Sequence, residues 1–247
     1  MLKRFYAICS FIALSLCLWA CTPNQSASSS TVDASQYDSF WIWGNISSAP
    51  YLSQAKEIYI LQGEVRLNKS AQQPVLIPQG VAVLKVPHQK VWLVYRNHLL
   101  NWRPEEIQLI AQRIQQWEQA GNQVQGIQID FDSPTKDIRS YALFLEKLRA
   151  ALPQKYRLSI TGLLDWANIQ DQQALHLLRE NIDELVIQTY QGSATIPEYQ
   201  GYLKKVSKLQ LPYKIGIVQR GEWNPGLNFS ADPNFKGYVV FLLRSAP

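Results

Sequence analysis

The chain has 247 residues, of which 47% are hydrophobic, 17% charged and 11% aromatic, and its formal net charge is +5. This composition excludes a disordered tail and a coiled coil, because it is rich in aromatic residues and has no long charged periodic stretch. All three cysteines lie within the first 21 residues, so the rest of the chain has no thiol for a disulfide framework or a cysteine metal site.

The first twenty residues have the pattern of an export signal. Lys3 and Arg4 precede an almost wholly apolar run over residues 5–20, which then meets small and polar residues. The run is short for a membrane-spanning helix, which needs about 20 apolar residues. We therefore predict that residues 1–20 are a signal peptide.

The end of this run, Leu18-Trp19-Ala20-Cys21, resembles the bacterial lipobox. The resemblance implies cleavage before Cys21 and attachment of acyl chains such as palmitate to that residue, while an ordinary cleaved signal is the alternative. Thr22, in place of an aspartate, favours the outer membrane, so we predict a lipoprotein of the bacterial cell envelope that faces the periplasm. Residues 21–36, rich in Ser, Ala, Thr and Gln, predict a flexible tether.

The remaining charge pattern points to no nucleic acid. Without residues 1–20, 22 basic and 19 acidic side chains leave a net charge of +3, and no basic patch is interleaved with aromatic residues. The three histidines have no metal-ligand spacing, and no glycine-rich phosphate loop follows the first predicted strand. Neither a metal nor a cofactor is predicted.

Strand-like and helix-like segments alternate after the tether. Segments rich in β-branched and aromatic residues predict eight strands, at 37–44, 57–64, 90–98, 124–132, 157–165, 183–191, 213–220 and 236–243. Amphipathic patterns predict helices over 104–120, 137–152, 171–181 and 196–209. This alternation predicts an α/β fold, a (β/α)8 TIM-like barrel over 37–247, with an open doubly wound sheet as the alternative. Residues 65–89 and 221–235 show no helical pattern, so an incomplete set of outer helices is expected.

The fourth predicted strand carries the most informative segment, Gln125–Pro134. Alternation separates two faces, an apolar one with Ile127, Ile129 and Phe131 and a polar one with Gln128, Asp130 and Asp132. In a barrel the polar row faces the lumen and ends in two carboxylates at the rim where active sites of this fold lie. Neighbouring carboxylates repel each other, which raises the proton affinity of one and suits it for general acid chemistry.

This segment resembles the fourth-strand motif of family 18 glycoside hydrolases, the chitinase-like barrels, which reads Asp-Gly-x-Asp-x-Asp-x-Glu. Gly126, Asp130 and Pro134 match, whereas Gln125, Gln128 and Asp132 stand where Asp, Asp and Glu are expected. The resemblance implies that Asp132 protonates the leaving group, that Asp130 orients the substrate's acetamido group, and that Tyr190 assists this group. Tyr190-Gln191 resembles the family's Tyr-Asp pair with the acid replaced.

Most of the chain resembles a family of uncharacterised bacterial lipoproteins with chitinase-like barrels. The resemblance runs from Phe40–Gly44 through Gly126–Pro134 to Leu163–Trp166. It implies the same barrel and brings little information on activity.

Other predicted strand ends carry groups that suit a sugar, whose hydroxyls need hydrogen-bond partners and whose apolar face stacks on aromatic rings. The candidate ligand-binding residues are Gln128, Gln188, Arg96, His98, Glu64, Asp165, Trp166 and Trp43. Structural alternatives exist for several of them. Asp130 and Arg96 would form a buried ion pair, Trp43 would be a core residue, and Asp165-Trp166 would cap a turn.

Three classes of function remain open at this point. The first is a glycoside hydrolase that cleaves an amino-sugar glycan with Asp132 as the acid and Asp130 as its electrostatic partner. The second is a non-catalytic glycan-binding lipoprotein, favoured because an aspartate side chain is one methylene shorter than the expected glutamate. The third is an envelope scaffold that needs no cleft chemistry.

Overall fold

The computed structural model describes residues 29–44 and 50–243. The predicted signal peptide 1–20 and the predicted lipid attachment at Cys21 lie outside the described residues. Within the part of the chain that the structure describes, no helix combines the length and the apolar character needed to cross a membrane.

Eight parallel strands close into a barrel, and each overlaps one predicted strand. Strands β1 to β8 are Ser39–Ile42, Glu57–Asn68, Lys90–Asn97, Gln123–Asp130, Arg157–Gly162, Glu184–Gln188, Tyr213–Val218 and Phe235–Phe241. Each strand pairs with the next one along the chain, and β8 pairs with β1 to complete the ring. This closure confirms the (β/α)8 TIM-like barrel and excludes the open doubly wound sheet.

Four outer helices follow β3, β4, β5 and β6. Helices α1 to α4 are Pro104–Gln119, Ile138–Ala151, Gln172–Asn181 and Tyr199–Val206. Pro104 in the first turn and Glu106, whose carboxylate accepts a hydrogen bond from the Arg103 backbone N–H at 2.8 Å, fix the start of α1. In the described residues no α-helix follows β1, β2 or β7, in agreement with the predicted incomplete set.

A hairpin takes the place of the helix after β2. Strand β2 continues beyond the barrel wall to Asn68, and the chain returns as the strand Gln73–Pro78, antiparallel to it. We call residues 63–78 the accessory hairpin. Prolines at 74 and 78 favour this arrangement, because proline lacks the amide donor that a helix interior needs.

Apolar side chains fill two layers, one on each side of the barrel wall. Ile127 and Ile129 pack outward in the cluster that includes the helix residue Tyr141, as alternation along β4 predicted. Inside the barrel, the rings of Tyr59 and Trp92 stack with centroids 5.7 Å apart. Because the lumen is filled by such side chains, a ligand can reach the barrel interior only at its ends.

Residues 30–36, which the sequence places in the tether, are folded on the barrel. Ser30–Thr31 forms a short antiparallel ladder with Glu222–Trp223. Val32 and Ala34 are 3% and 2% exposed and join the outer core. The folded domain therefore includes residues 30–36, which lie before the predicted boundary, because alternating apolar side chains in this segment occupy buried positions.

Gly126 marks a position where β4 tolerates no side chain. The β3–β4 register shifts between Val91 and Trp92, and a Cβ at Gly126 would lie 1.9 Å from the carbonyl oxygen of Arg157. We expect Gly126→Ala to lower the free energy of unfolding by about 3 kcal/mol, the upper end of overpacking costs, in urea denaturation. Gly201→Ala is the control, because nothing lies within 4 Å of that helical position, and it is expected to be neutral or stabilising. Equal effects of the two substitutions would contradict this account.

Candidate functional site

A cleft of about 740 Å³ opens at the carboxyl-terminal end of the barrel strands. Its polar lining includes Arg96, Asp132, Asp165 and Gln188, and its aromatic lining consists of Trp43, Tyr190, Tyr202 and Phe241. The volume lies in the range of about 300–1,000 Å³ that is usual for ligand sites. Parallel strands bring their carboxyl ends to one rim, which is why residues distant in sequence meet here.

Asp130 ends β4 and lies below the cleft, 7% exposed. One of its carboxylate oxygens accepts hydrogen bonds from Thr161 Oγ1 at 3.0 Å and from Gln188 Nε2 at 3.5 Å. Burial, and secondly the charge of Asp132, raise the pKa of Asp130 to about 6. The carboxyl group therefore exchanges its proton close to neutral pH.

Asp132 lies two residues further along the chain, where it is exposed to solvent and lines the cleft. It also lines a side pocket of about 150 Å³ together with Asp130 and Arg96. The following residue, Ser133, is fully buried and anchors the loop. Both carboxylates predicted from the β4 segment thus lie at the rim, one buried and one accessible.

Trp166 and Gln128 are placed outside the cleft. Trp166 is fully buried, and its Nε1 donates to the carbonyl oxygen of Ser133 at 2.9 Å, so it fixes the loop that carries Asp132. Gln128 is also fully buried; it accepts from Trp41 Nε1 and donates to Ser159 Oγ at 2.9 Å. Neither side chain is accessible to a ligand, which corrects the expectation that they bind one. Strand alternation predicts correctly that Gln128 lies on the lumen face of β4. It does not predict how deep in the lumen the side chain lies.

Arg96 makes no direct ion pair with Asp130, so the buried pair considered from the sequence is not formed between these two described residues. The charge of Arg96 acts on Asp130 at longer range and partly opposes the rise of its pKa. The guanidinium of Arg96 instead lies over the ring of Trp43, 5.6 Å from the ring centroid, and the side chain is exposed. This contact places a cation beside an aromatic wall of the cleft.

The aromatic wall is a chain of ring contacts. Trp43 meets Phe241 edge to face at 5.3 Å, and Phe241 stacks on Tyr190 at 5.4 Å. Burial and the nearby charge of Asp130 raise the pKa of Tyr190 well above its ordinary value. The Tyr190 hydroxyl therefore stays protonated at neutral pH and is available as a hydrogen-bond donor.

Asp165 follows β5 in a short 3-10 helix and lines the cleft. Thr135 Oγ1 donates a hydrogen bond to one of its carboxylate oxygens, Oδ2. The other oxygen, Oδ1, is buried and has no hydrogen-bond partner among the described residues. Unsatisfied buried oxygens are uncommon in folded proteins, so Oδ1 is an acceptor that a donor group of a ligand could use.

Glu64 and His98 lie apart from the cleft. Nε2 of His98 lies 2.6 Å from Oε1 of Glu64, and both side chains line a second groove of about 690 Å³ beside the accessory hairpin. Gln79 Nε2 donates to the other Glu64 oxygen. The sequence predicted both residues at strand ends, but the extension of β2 carries Glu64 onto the hairpin face.

Several residues of the site were missed from the sequence, among them Phe241, Thr161 and Tyr202. Phe241 ends β8 two residues after the lumen residue Val239, so strand alternation would have pointed to it. Thr161 lies on the lumen face of β5, and the same rule applies to it. Tyr202 belongs to α4, where helical periodicity alone gives no signal that one residue reaches the rim.

The fold and the site define a TIM-like barrel with a carboxylate-bearing and aromatic-lined cleft at its carboxyl-terminal rim. The profile of a family described as "Domain of unknown function (DUF3142)" matches residues 100–199, less than half of the chain. The matched segment includes Asp130, Asp132, Asp165 and Tyr190, so most of the cleft's polar groups lie within it. Among curated proteins, none matches.

The spore cortex-lytic enzyme SleL of Bacillus cereus is among the solved structures with a partial likeness to this chain. The similarity covers 66% of this chain and 44% of SleL, with 19% sequence identity and a TM-score of 0.45. The chain therefore spans less than half the length of that enzyme.

Proposed function

We propose that the rim cleft binds an amino-sugar glycan and that Asp132 acts on it as the general acid of glycosidic bond hydrolysis. Carboxylate and amide groups of its lining supply partners for sugar hydroxyls. Aromatic rings of the same lining supply a surface for the apolar face of a sugar. The combination of polar groups and aromatic rings in one cleft supports a carbohydrate ligand.

The catalytic part of this proposal rests on one observation, that the buried Asp130 lies below the exposed Asp132. The exposed Asp132 lines the cleft, where it delivers its proton to the glycosidic oxygen as the bond to the anomeric carbon breaks. A water molecule then adds its oxygen to the anomeric carbon and returns a proton to Asp132. Asp130 changes protonation near pH 6 and adjusts the charge beside the reacting centre. Tyr190, whose pKa is raised by burial, supplies a neutral donor in the same cleft.

A second candidate, glycan binding without hydrolysis, is favoured by the length of the Asp132 side chain. An aspartate reaches roughly 1.5 Å less far than the glutamate of the resembled motif, and misplacement by about 1 Å can cost a factor of about 100 in rate. The cleft that holds the sugar is the same in both candidates.

We further propose that the mature chain begins at an acylated Cys21 and is held at the outer membrane, facing the periplasm. The signal pattern of residues 1–20 and the lipobox resemblance support this proposal. Mass spectrometry of the N-terminal peptide from cells tests it, and an unmodified Cys21 thiol would contradict it.

Incubation of the full chain with amino-sugar oligomers of three to six units tests the main proposal. Chromatography of the products measures hydrolysis, and calorimetric titration measures binding. Products from the wild type support the hydrolase, whereas binding without products supports the second candidate. The absence of both, across oligomers of every length, would contradict both candidates and leave the envelope scaffold.

A further inference from the structure

The cleft does not end at the barrel mouth. The side pocket shares Arg96 and Asp132 with the cleft and shares His98 with the second groove beside the accessory hairpin. The three spaces therefore adjoin along the rim. At about 690 Å³ the second groove is nearly as large as the cleft, and each has the volume of an ordinary ligand site.

The two larger spaces differ in the side chains that line them. Four aromatic residues line the cleft, whereas the apolar lining of the second groove is aliphatic and consists of Leu67, Val75 and Ile77. Leu67 is 44% exposed, and Val75 and Ile77 are half-buried, so the aliphatic lining is accessible from solvent. Sugar rings stack on aromatic faces, so the second groove suits small aliphatic side chains better than a further sugar unit.

The charge of the second groove also differs from that of the cleft. Glu64 uses both carboxylate oxygens, one with His98 at 2.6 Å and the other with Gln79. Arg66 and Lys69 are exposed, and neither forms an ion pair with any described residue. The groove therefore presents two exposed cations, Arg66 and Lys69, against the single half-buried carboxylate of Glu64, while the cleft presents the carboxylates of Asp132 and Asp165.

We propose that the second groove binds an acidic, aliphatic-rich peptide segment attached to the glycan in the cleft. This inference rests on the proposed function, because it assigns the ligand class of the same rim. Carboxylates of the peptide would pair with Arg66 and Lys69, and its small apolar side chains would lie on Val75 and Ile77. The ligand as a whole is a peptide-substituted amino-sugar glycan, which combines the two kinds of chemistry that the adjoining spaces present.

Calorimetric titration of the full chain with three probes tests this inference. The probes are an amino-sugar disaccharide that carries a short peptide with two carboxylates, the same disaccharide without the peptide, and the free peptide. We expect the substituted disaccharide to bind at least about tenfold more tightly than the bare one, equivalent to about 1.4 kcal/mol. The advantage should shrink as salt rises from about 0.05 to about 0.5 M, because the paired groups are exposed.

The double variant Arg66→Gln/Lys69→Gln should lose this advantage and still bind the bare disaccharide as the wild type does. Lys85→Gln/Lys90→Gln is the matched control, because it removes the same charge from exposed residues just before and at the start of β3, at the opposite end of the barrel. Equal affinity of the wild type for both disaccharides would overturn the inference and leave the proposed function intact.

Two further outcomes are decisive. An acidic polysaccharide without peptide, such as a hyaluronan oligosaccharide, should gain nothing from Arg66 and Lys69; if it gains as much as the peptide-substituted probe, the peptide assignment is overturned. If the wild type binds neither disaccharide, the proposed function itself fails, which separates that failure from the failure of this inference.

Discussion

Replacing Asp132 with asparagine is expected to lower the rate of glycan hydrolysis by a factor of about 10²–10⁴, the usual contribution of a positioned general acid. The amide has nearly the same shape as the carboxyl group and has no proton to give to a leaving oxygen. Because Asp132 is exposed, the substitution leaves the buried core unchanged. Initial rates on an oligomer that the wild type cleaves measure the loss, and calorimetric titration should show affinity within about threefold of the wild type.

Asp137→Asn is the control for this result. Asp137 is equally exposed and lies five residues further along the same loop, but it lines neither the cleft nor the side pocket. Its substitution should leave both rate and affinity unchanged. An Asp132→Asn variant as fast as the wild type would remove Asp132 from the mechanism and direct attention to Asp165, the other accessible carboxylate of the cleft.

The barrel was predictable because each strand carries its own local signal. Alternating or continuous apolar runs predicted all eight strands. A closed barrel buries both faces of eight parallel strands, so closure was the expected arrangement. The end of β2 was not predictable in this way. The predicted strand ended at residue 64, whereas the observed strand reaches Asn68, because the antiparallel partner Gln73–Pro78 extends it beyond the barrel.

The site was predictable to the extent that it depends on strand ends. Asp130, Asp132 and Tyr190 follow directly from the register of β4 and β6, since parallel strands share one carboxyl-terminal rim. How deep a lumen-facing side chain lies along the barrel axis was not predictable from the sequence. Gln128 lies only two residues before Asp130, but the hydrogen bonds of its amide to Trp41 and Ser159 place it within the filled interior.

A second prediction with a large expected effect concerns the free energy of unfolding, which depends on pH because Asp130 is buried. In the folded protein the pKa of Asp130 is about 6, above its ordinary value of 3.8, so the folded state binds this proton more tightly than the unfolded chain does. The resulting stabilisation is fully present below about pH 4 and is lost as the pH rises through about 6. The shift corresponds to about 3 kcal/mol of unfolding free energy at neutral pH.

Asp130→Asn is therefore expected to be as stable as the wild type near pH 4 and more stable by about 3 kcal/mol near pH 8. The asparagine Oδ1 can still accept from Thr161 and Gln188, so the substitution removes the buried charge without removing its hydrogen bonds. Urea denaturation of both proteins at several pH values between about 4 and 8 measures the difference, which should grow as the wild-type carboxyl group ionises.

Asp171→Asn should show the opposite dependence and serves as the control. The hydrogen bond from Arg139 lowers the pKa of Asp171 to about 2, so its contribution to stability is present at neutral pH and is lost on acidification. If the stability difference between Asp130→Asn and the wild type did not change with pH, the carboxyl group would ionise in the folded protein as it does in the unfolded chain. Asp130 would then have no proton to exchange near neutral pH, and its part in the proposed acid chemistry would fail with it.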